Sequence, residues 1–312
     1  MNDETMLRAE DKTINWYPGH MARAKRQLAG QLSRVDAVIE LCDARIPRAS
    51  RNPDLAELVK NKRRLLVLGK ADLAEEAQTR AWIQYYRAQG LEAMSFDSVR
   101  GRAKDVLSRV ERLCADLVEH MAARGVKKTV RVMIVGVPNV GKSTFTNRLN
   151  GAAIAKTGDR PGVTRSNQWV RVTPYLELLD TPGLRWPKLE YQADARALAL
   201  VGTINDQIMD QQMLAIRLLT WLMENKREDT VRRFRLKETD VEGLALLEAV
   251  CRGRGWLLPG GVCDTDRGAA HPLQDGAHQC QPVPGPPRPG LRILERTVTG
   301  LNILSAGRTS AR

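Results

Sequence analysis

The stretch "GVPNVGKSTFTNRL" (residues 136–149) decides the fold. It satisfies G-x-x-x-x-G-K-S, follows the apolar run "VRVMIVGV" (residues 130–137) and opens into a helical pattern. A glycine-rich turn with a chance lysine would need neither flank, and both are present. In this setting the backbone N–H groups of the loop and the N-terminus of the next helix enclose phosphate oxygens, which places Asn139, Val140, Gly141, Lys142, Ser143 and Thr144 at a nucleotide. Lys142 supplies a point charge at the β- and γ-phosphates, and the Ser143 hydroxyl is a ligand for Mg²⁺. The loop sits almost mid-chain, so the residues that read the base have to be found elsewhere.

Downstream, "LELLDTPG" (residues 176–183) ends a second apolar run in a carboxylate and a glycine. Asp180 there can hold the Mg²⁺ shell, and the Gly183 N–H can meet the γ-phosphate. Between the two motifs, "KTGDRPGVTRSNQWV" (residues 156–170) is a polar loop in which Thr164, with Thr157 as its competitor, offers a hydroxyl to Mg²⁺. No base-reading motif follows Asp180. Upstream, however, "LLVLGKADL" puts Lys70 and Asp72 just after a strand, matching the K-x-D of a guanine-reading N-K-x-D. The nearby "MSFDSVRG" (residues 94–101) supplies a loop to back the base, with Ser95 as its candidate contact. The base-reading half therefore precedes the phosphate-reading half, as in a nucleotide-binding ring cut and rejoined at another point.

The apolar runs at residues 37–44, 64–72, 130–137 and 176–183 read as buried parallel strands, the early ones separated by helical stretches. The fold class expected is α/β: a circularly permuted P-loop domain with a mostly parallel sheet over residues 1–190, its ligand at the carboxyl ends of the strands. Beyond about residue 191 the period changes. Ile204 and Ile208, then Leu214, Leu218 and Leu222, then Leu244, Leu247 and Cys251 recur at helical spacing, giving a smaller helical domain over residues 191–260. Residues 261–312 contain no Lys, Phe, Trp or Tyr and include "QPVPGPPRPG", so they are expected to form a divergent, poorly ordered tail.

The 312 residues are 43% hydrophobic, enough to fill at least one sizeable core. Forty-nine Lys and Arg against 36 Asp and Glu give a net charge of +13, which favours a polyanionic partner. In "ENKREDTVRRFRLK" (residues 224–237), Arg232, Arg233 and Arg235 surround Phe234; the run reads equally as an RNA-facing patch or as a solvated surface. No apolar run is long enough to cross a bilayer, and the polar start "MNDETMLRAEDK" lacks a secretory signal, so no membrane insertion and a cytoplasmic location are expected. The five cysteines form no C-x-x-C pair and support neither a zinc site nor a disulfide framework.

The permuted order resembles the YlqF/YawG group of GTPases. Three motifs carry the resemblance: "INWYPGHMARAKRQL" (residues 14–28), "DARIPRASRNPDL" (residues 43–55) and the phosphate loop itself. Together they resemble the bacterial YlqF-like branch, which acts in maturation of the large ribosomal subunit, over roughly residues 14–260. The resemblance implies a monomeric GTP-hydrolysing assembly factor that uses Mg²⁺, binds ribosomal RNA on large-subunit precursors and is released on hydrolysis. Leu184, after the DTPG, stands where many GTPases place a water-orienting glutamine; the family gives that role to the histidine of PGHM, here His20. It also implies that Asn139 helps hold K⁺.

Two departures stand out. The family's base-reading asparagine is Gly69 here; Asp72 can still accept from the guanine N1–H and 2-amino group, but one neutral hydrogen bond, about 1 kcal/mol, is lost. After "RGRGWLLPGG" (residues 252–261) the helical pattern dissolves, through divergence or an altered reading frame. Two other functions remain open: a weakly active GTP-sensing module that binds RNA, and an ATP-using P-loop protein, which the Lys70–Asp72 motif disfavours.

Overall fold

The computed structural model of the chain describes residues 29–51, 53–137, 139–157, 169–179, 197–202 and 211–279. The expected α/β architecture is present. Among the described residues six strands form one sheet: β1 (Ala37–Asp43), β2 (Arg63–Gly69), β3 (Glu92–Ser95), β4 (Val130–Val135), β5 (Trp169–Thr173) and β6 (Leu176–Leu179). Their order across the sheet is β3-β2-β1-β4-β6-β5, parallel throughout except for the β5–β6 hairpin at one edge.

The chain builds outward from β1 through β2 to β3, then returns to place β4 on the other side of β1, in register Ala37 with Val132. The order of strands thus reverses between β1 and β4, and a crevice beyond their carboxyl ends is where parallel α/β sheets bind ligands. Permutation puts the seam between the two sequence halves at that same place.

β1 is buried at all seven positions, as a strand covered on both faces must be. Alternate residues serve opposite cores. Ile39, Leu41, Leu65, Val67, Val132 and Ile134 face one, which α3 (Ala103–Leu113) and the phosphate-loop helix also enter, through Val106, Val110 and Phe145. Cys42, Leu66 and Leu68 face Trp82 and Tyr86 of α2 (Glu76–Ala88), while Val38, Met133 and Val135 meet Leu55 of α1 (Pro53–Leu58). Each large aliphatic side chain so buried stabilises by roughly 1.5–3 kcal/mol. That gain offsets the cost of enclosing Glu40 and Asp43, each of which is paired: Glu40 with Arg51 at 3.1 Å, Asp43 with Arg45 at 2.6 Å. A further helix, α4 (Ala115–Ala123), leads into β4.

The phosphate-loop helix is α5 (Lys142–Thr157). Among the described residues four more helices make the helical unit: α6 (Gln211–Asn225), α7 (Arg227–Phe234), α8 (Gly243–Arg254) and α9 (Thr265–Gln279). Their core contains Leu214, Leu218, Leu247, Cys251 and Trp256, and Leu222 packs against it from the rim, whereas Leu244, at the start of α8, is exposed and lies off the buried face. Ile204 and Ile208 lie outside the described residues. The basic run at residues 224–237 is helical over α7. One expectation is corrected: the stretch expected to be a tail carries α9, which packs on the helical core as far as residue 279. The physical reason lies in small side chains: Gly268 lies so close to Cys251 that a Cβ there would fall 2.3 Å from Sγ, and Ala269 is fully buried. Close backbone approach replaces the bulky apolar period that sequence patterns report. Residues 280–312 lie outside the described residues.

Residues 197–202 join the two units. Leu198 and Val201 belong to the sheet core, whereas Ala199 and Leu200 belong to the helical core. Among the described residues no helix is long and apolar enough to cross a membrane.

Candidate functional site

The site begins where β4 passes into α5. Gly136 runs so close to β1 that a Cβ would sit 2.4 Å from the Leu41 carbonyl oxygen, which restricts the position to glycine. Asn139 at φ 55 and Gly141 at φ 99 are both left-handed, and these bends curl the loop before the helix starts. Val140 is buried under the loop. Lys142 is buried too, and its ammonium donates to the carbonyls of Gly136 (3.1 Å) and Val137 (2.5 Å), which satisfy a charge that could not otherwise be enclosed. Ser143 and Thr144 are exposed in the first turn of α5, a turn without an acidic residue. The helix N-terminus therefore keeps its positive end unneutralised for an anion.

The half of the chain that carries the K-x-D of Lys70 and Asp72 meets this loop directly. Lys70 follows β2 in a left-handed conformation (φ 54), which turns its side chain back over the sheet edge. Its ammonium donates to the Asn139 carbonyl at 3.0 Å and pairs with Asp43 at 3.1 Å. A Cβ on Gly141 would lie 3.7 Å from Lys70 Cε, so a side chain there would come against the lysine stem. Asp72 is the middle residue of the short helical turn Ala71–Leu73, and its Oδ1 accepts from the Ser98 N–H at 3.1 Å.

The Ser98 N–H thus backs the aspartate, and Ser95 ends β3 with an exposed side chain. The loop holding Ser98 is firmly built. Asp97 Oδ1 accepts from the N–H groups of Val99 (2.6 Å) and Arg100 (2.7 Å), and a Cβ at Gly101 would fall 2.3 Å from the Asp97 carbonyl oxygen. From α5, Arg148 donates to the carbonyls of Ser98 (3.3 Å) and Val99, and Phe145 meets Phe96 edge-on at 4.9 Å. Sequence reasoning passed over Ser98 and Arg148. The run D-S-V-R-G, an Asx turn closed by a glycine, was the available signal for the first; nothing local marks the second.

Asp43 and Arg45, the D and R of "DARIPRAS", also join the site. Burial alone would push the Asp43 carboxyl up, but hydrogen bonds from Arg45 and the charges of Arg45 and Lys70 outweigh it and hold the group below its ordinary value. Gly69 is tight: a Cβ there would approach Leu41 Cδ1 at 3.1 Å.

His20, Thr164, Asp180 and Gly183 lie outside the described residues, as does Leu184. Among the described residues no three His, Cys, Asp or Glu side chains gather as a metal cage. An exposed serine hydroxyl beside an anion-binding helix end suits a Mg²⁺ ion that takes most of its ligands from phosphate and water.

Arg232 and Arg233 occupy the last turn of α7 and Arg235 caps it in a left-handed conformation. Phe234 is only 2% exposed and anchors the helical core, so it presents no stacking face outward. The C-terminus of α8 packs on this turn: a Cβ at Gly253 would sit 2.4 Å from the Phe234 carbonyl oxygen, which brings Arg252 and Arg254 near the same end.

Comparison with known proteins follows the same lines. A family model described as "50S ribosome-binding GTPase" matches residues 131–241. Ribosome biogenesis GTPase A of Priestia megaterium is 44% identical over 84% of this chain and 92% of its own length. The GNP-bound structure of YlqF from Thermotoga maritima superposes with a TM-score of 0.58 at 27% identity, covering 82% of this chain and 93% of that one. A GDP-bound YlqF structure gives a TM-score of 0.60 at 26% identity, with 81% and 94% covered.

Proposed function

The chain belongs to the ribosome biogenesis GTPase A family, and from this we propose that it binds GTP at the seam between β1 and β4, hydrolyses it to GDP and phosphate, and serves as an assembly factor for the large ribosomal subunit. The carrying observation is Lys70, which reaches from the base-reading motif to the carbonyl of Asn139, 69 residues further along the chain. Base and phosphate determinants thereby share one site.

Each residue has a task that its chemistry suits. The Asp72 carboxylate accepts from the guanine N1–H and 2-amino group, donors that adenine does not present in that arrangement. The Ser98 N–H holds the carboxylate in place. Lys142 exchanges its loop carbonyls for β- and γ-phosphate oxygens, joined by the amides of residues 139–144. Mg²⁺, when bound, neutralises charge developing on those oxygens; Ser143, with Asp180 and Thr164, would hold it, and Gly183 would meet the γ-phosphate. Asn139 would help hold K⁺. His20 orients the attacking water in place of the glutamine that Leu184 replaces. Arg232, Arg233 and Arg235 contribute to a ribosomal RNA surface on a chain of net charge +13, and loss of the γ-phosphate releases the protein from the precursor particle.

A second reading, a GTP-sensing module with little turnover, is favoured by one observation: Gly69 lacks the asparagine contacts and is crowded by Leu41. Multiple-turnover hydrolysis with and without large-subunit precursor particles separates the two. The expected outcome is slow turnover alone, rising at least about tenfold with particles, the equivalent of ~1.4 kcal/mol of transition-state stabilisation. Tight GTP binding without that rise selects the sensing module, and equal competition by ATP removes the guanine assignment.

A further inference from the structure

The sequence motif "DARIPRAS" (residues 43–50) has no task in the reaction above, yet its Asp43, Arg45 and Ser50 are buried at the seam, while Arg48 is exposed. Asp43 has no exposed surface. Its Oδ1 accepts from the Arg45 N–H (3.0 Å) and Nε–H (2.9 Å); its Oδ2 accepts from Arg45 Nη2 (2.6 Å) and pairs with Lys70 Nζ (3.1 Å). Four donors fill the four lone-pair sites of one carboxylate, so its position is fixed by all of them at once. Ser50 closes the turn, its hydroxyl oxygen accepting from the Asp43 N–H at 3.0 Å and its O–H donating to the Ile46 carbonyl at 2.8 Å.

From this carboxylate two arms reach the same short segment. Arg45 Nη2 donates onward to the Val201 carbonyl at 3.4 Å. Lys70 donates to the Asn139 carbonyl, and the Asn139 side-chain amide donates to the Gly202 carbonyl at 3.4 Å. The contacts close a ring: Asp43, Lys70, Asn139, Gly202, Val201, Arg45 and back. Val201 and Gly202 end the segment that has side chains in both cores.

We propose that Asp43 and Arg45 are positioning residues: Asp43 fixes Lys70 against the phosphate loop, and Arg45 ties that arrangement to residues 197–202, where the helical unit begins. The proposal rests on the reading that a guanine nucleotide occupies the phosphate loop. A nucleotide that draws on Lys70 and on Asn139 perturbs two members of the ring, and the ring delivers the change to two adjacent carbonyls at the joint. A buried ion pair kept for stability alone would not do this, because its loss would act independently of Lys70.

A double-mutant cycle on GDP affinity in the full chain tests the first arm. Asp43→Asn and Lys70→Ala are each expected to weaken GDP about tenfold, with the double variant no more than about twofold worse than the weaker single one. Losses that multiply to about a hundredfold overturn the positioning role. The second arm needs no variant, which matters if Asp43→Asn does not fold: amide hydrogen exchange of the wild-type chain with and without GDP. GDP is expected to slow exchange of the amides of residues 199–202 several-fold, and unchanged exchange there in a chain that binds GDP overturns the link. Failure of the wild-type chain to bind GDP at all would remove the nucleotide reading and the proposal together, an outcome distinct from either of the others.

Discussion

At the scale of single residues, burial decides what a substitution costs. Lys142 is 9% exposed and its charge is satisfied by two loop carbonyls, so it is held ready for phosphate rather than for bulk solvent. Lys142→Ala is expected to weaken GTP by at least about 30-fold, since a charge-assisted contact contributes roughly 2 kcal/mol; isothermal titration checks it, and near wild-type affinity would remove the phosphate-loop assignment. Gly69 is subtler. An asparagine there restores a hydrogen bond of about 1 kcal/mol, but its Cβ must push aside Leu41, a side chain 1% exposed. Gly69→Asn alone is therefore expected to leave GDP affinity within about twofold and to lower the unfolding midpoint, whereas Gly69→Asn with Leu41→Val should tighten GDP several-fold. If the single variant gains as much as the double, Leu41 is not the obstacle.

Between elements, the helical unit depends on contacts that only small residues permit. α9 lies against α8 through Gly268, and a methyl there collides with Cys251 Sγ at 2.3 Å. Gly268→Ala should destabilise the helical unit by about 1–3 kcal/mol through overpacking, with GTP affinity retained because α9 is remote in role from the phosphate loop. Denaturant titration is the measurement; a neutral effect would mean that α9 does not pack there. The meeting of α7 and α8 at Gly253 gathers arginines from both helix ends, and helix C-termini favour cations. Replacing Arg232, Arg233 and Arg235 by Ala should weaken binding to large-subunit precursor RNA and flatten its salt dependence by up to about three phosphate contacts. An unchanged slope would assign these side chains to the solvated surface.

For the molecule as a whole, the joint at residues 197–202 means that neither unit has a complete core without the other's chain: Leu198 and Val201 fill one, Ala199 and Leu200 the other. The position of α9 moves the boundary of what can be removed. A chain ending at residue 279 is expected to keep GTP affinity and a helical unit that unfolds cooperatively. One ending at residue 260 should lose the helical transition in a thermal melt, because Trp256, Cys251 and Leu247 would lose the cover that Ala269 and its helix provide. Matching melts for the two truncations would show α9 to be dispensable.

The sequence by itself determined the G-x-x-x-x-G-K-S loop between a strand and a helix, the K-x-D after an earlier strand and the permuted order of the two, because each is a local pattern: a strand, a glycine-bearing turn and a helix start are specified by neighbours within a few residues. It also determined the parallel sheet, through unbroken apolar runs that only a doubly covered strand tolerates. It did not show that the Ser98 N–H meets Asp72, a contact set by how the chain bends at Asp97. Nor did it show α9, whose packing comes from Gly268 and Ala269, residues whose value is the absence of bulk. The tertiary structure alone decided the work of Asp43 and Arg45 and the staple from Arg148. Those roles exist only once β1 lies between β2 and β4, so that residues 43, 70, 139 and 201 converge at one seam. Long-range polar contacts leave no period in a sequence, because nothing about their spacing repeats.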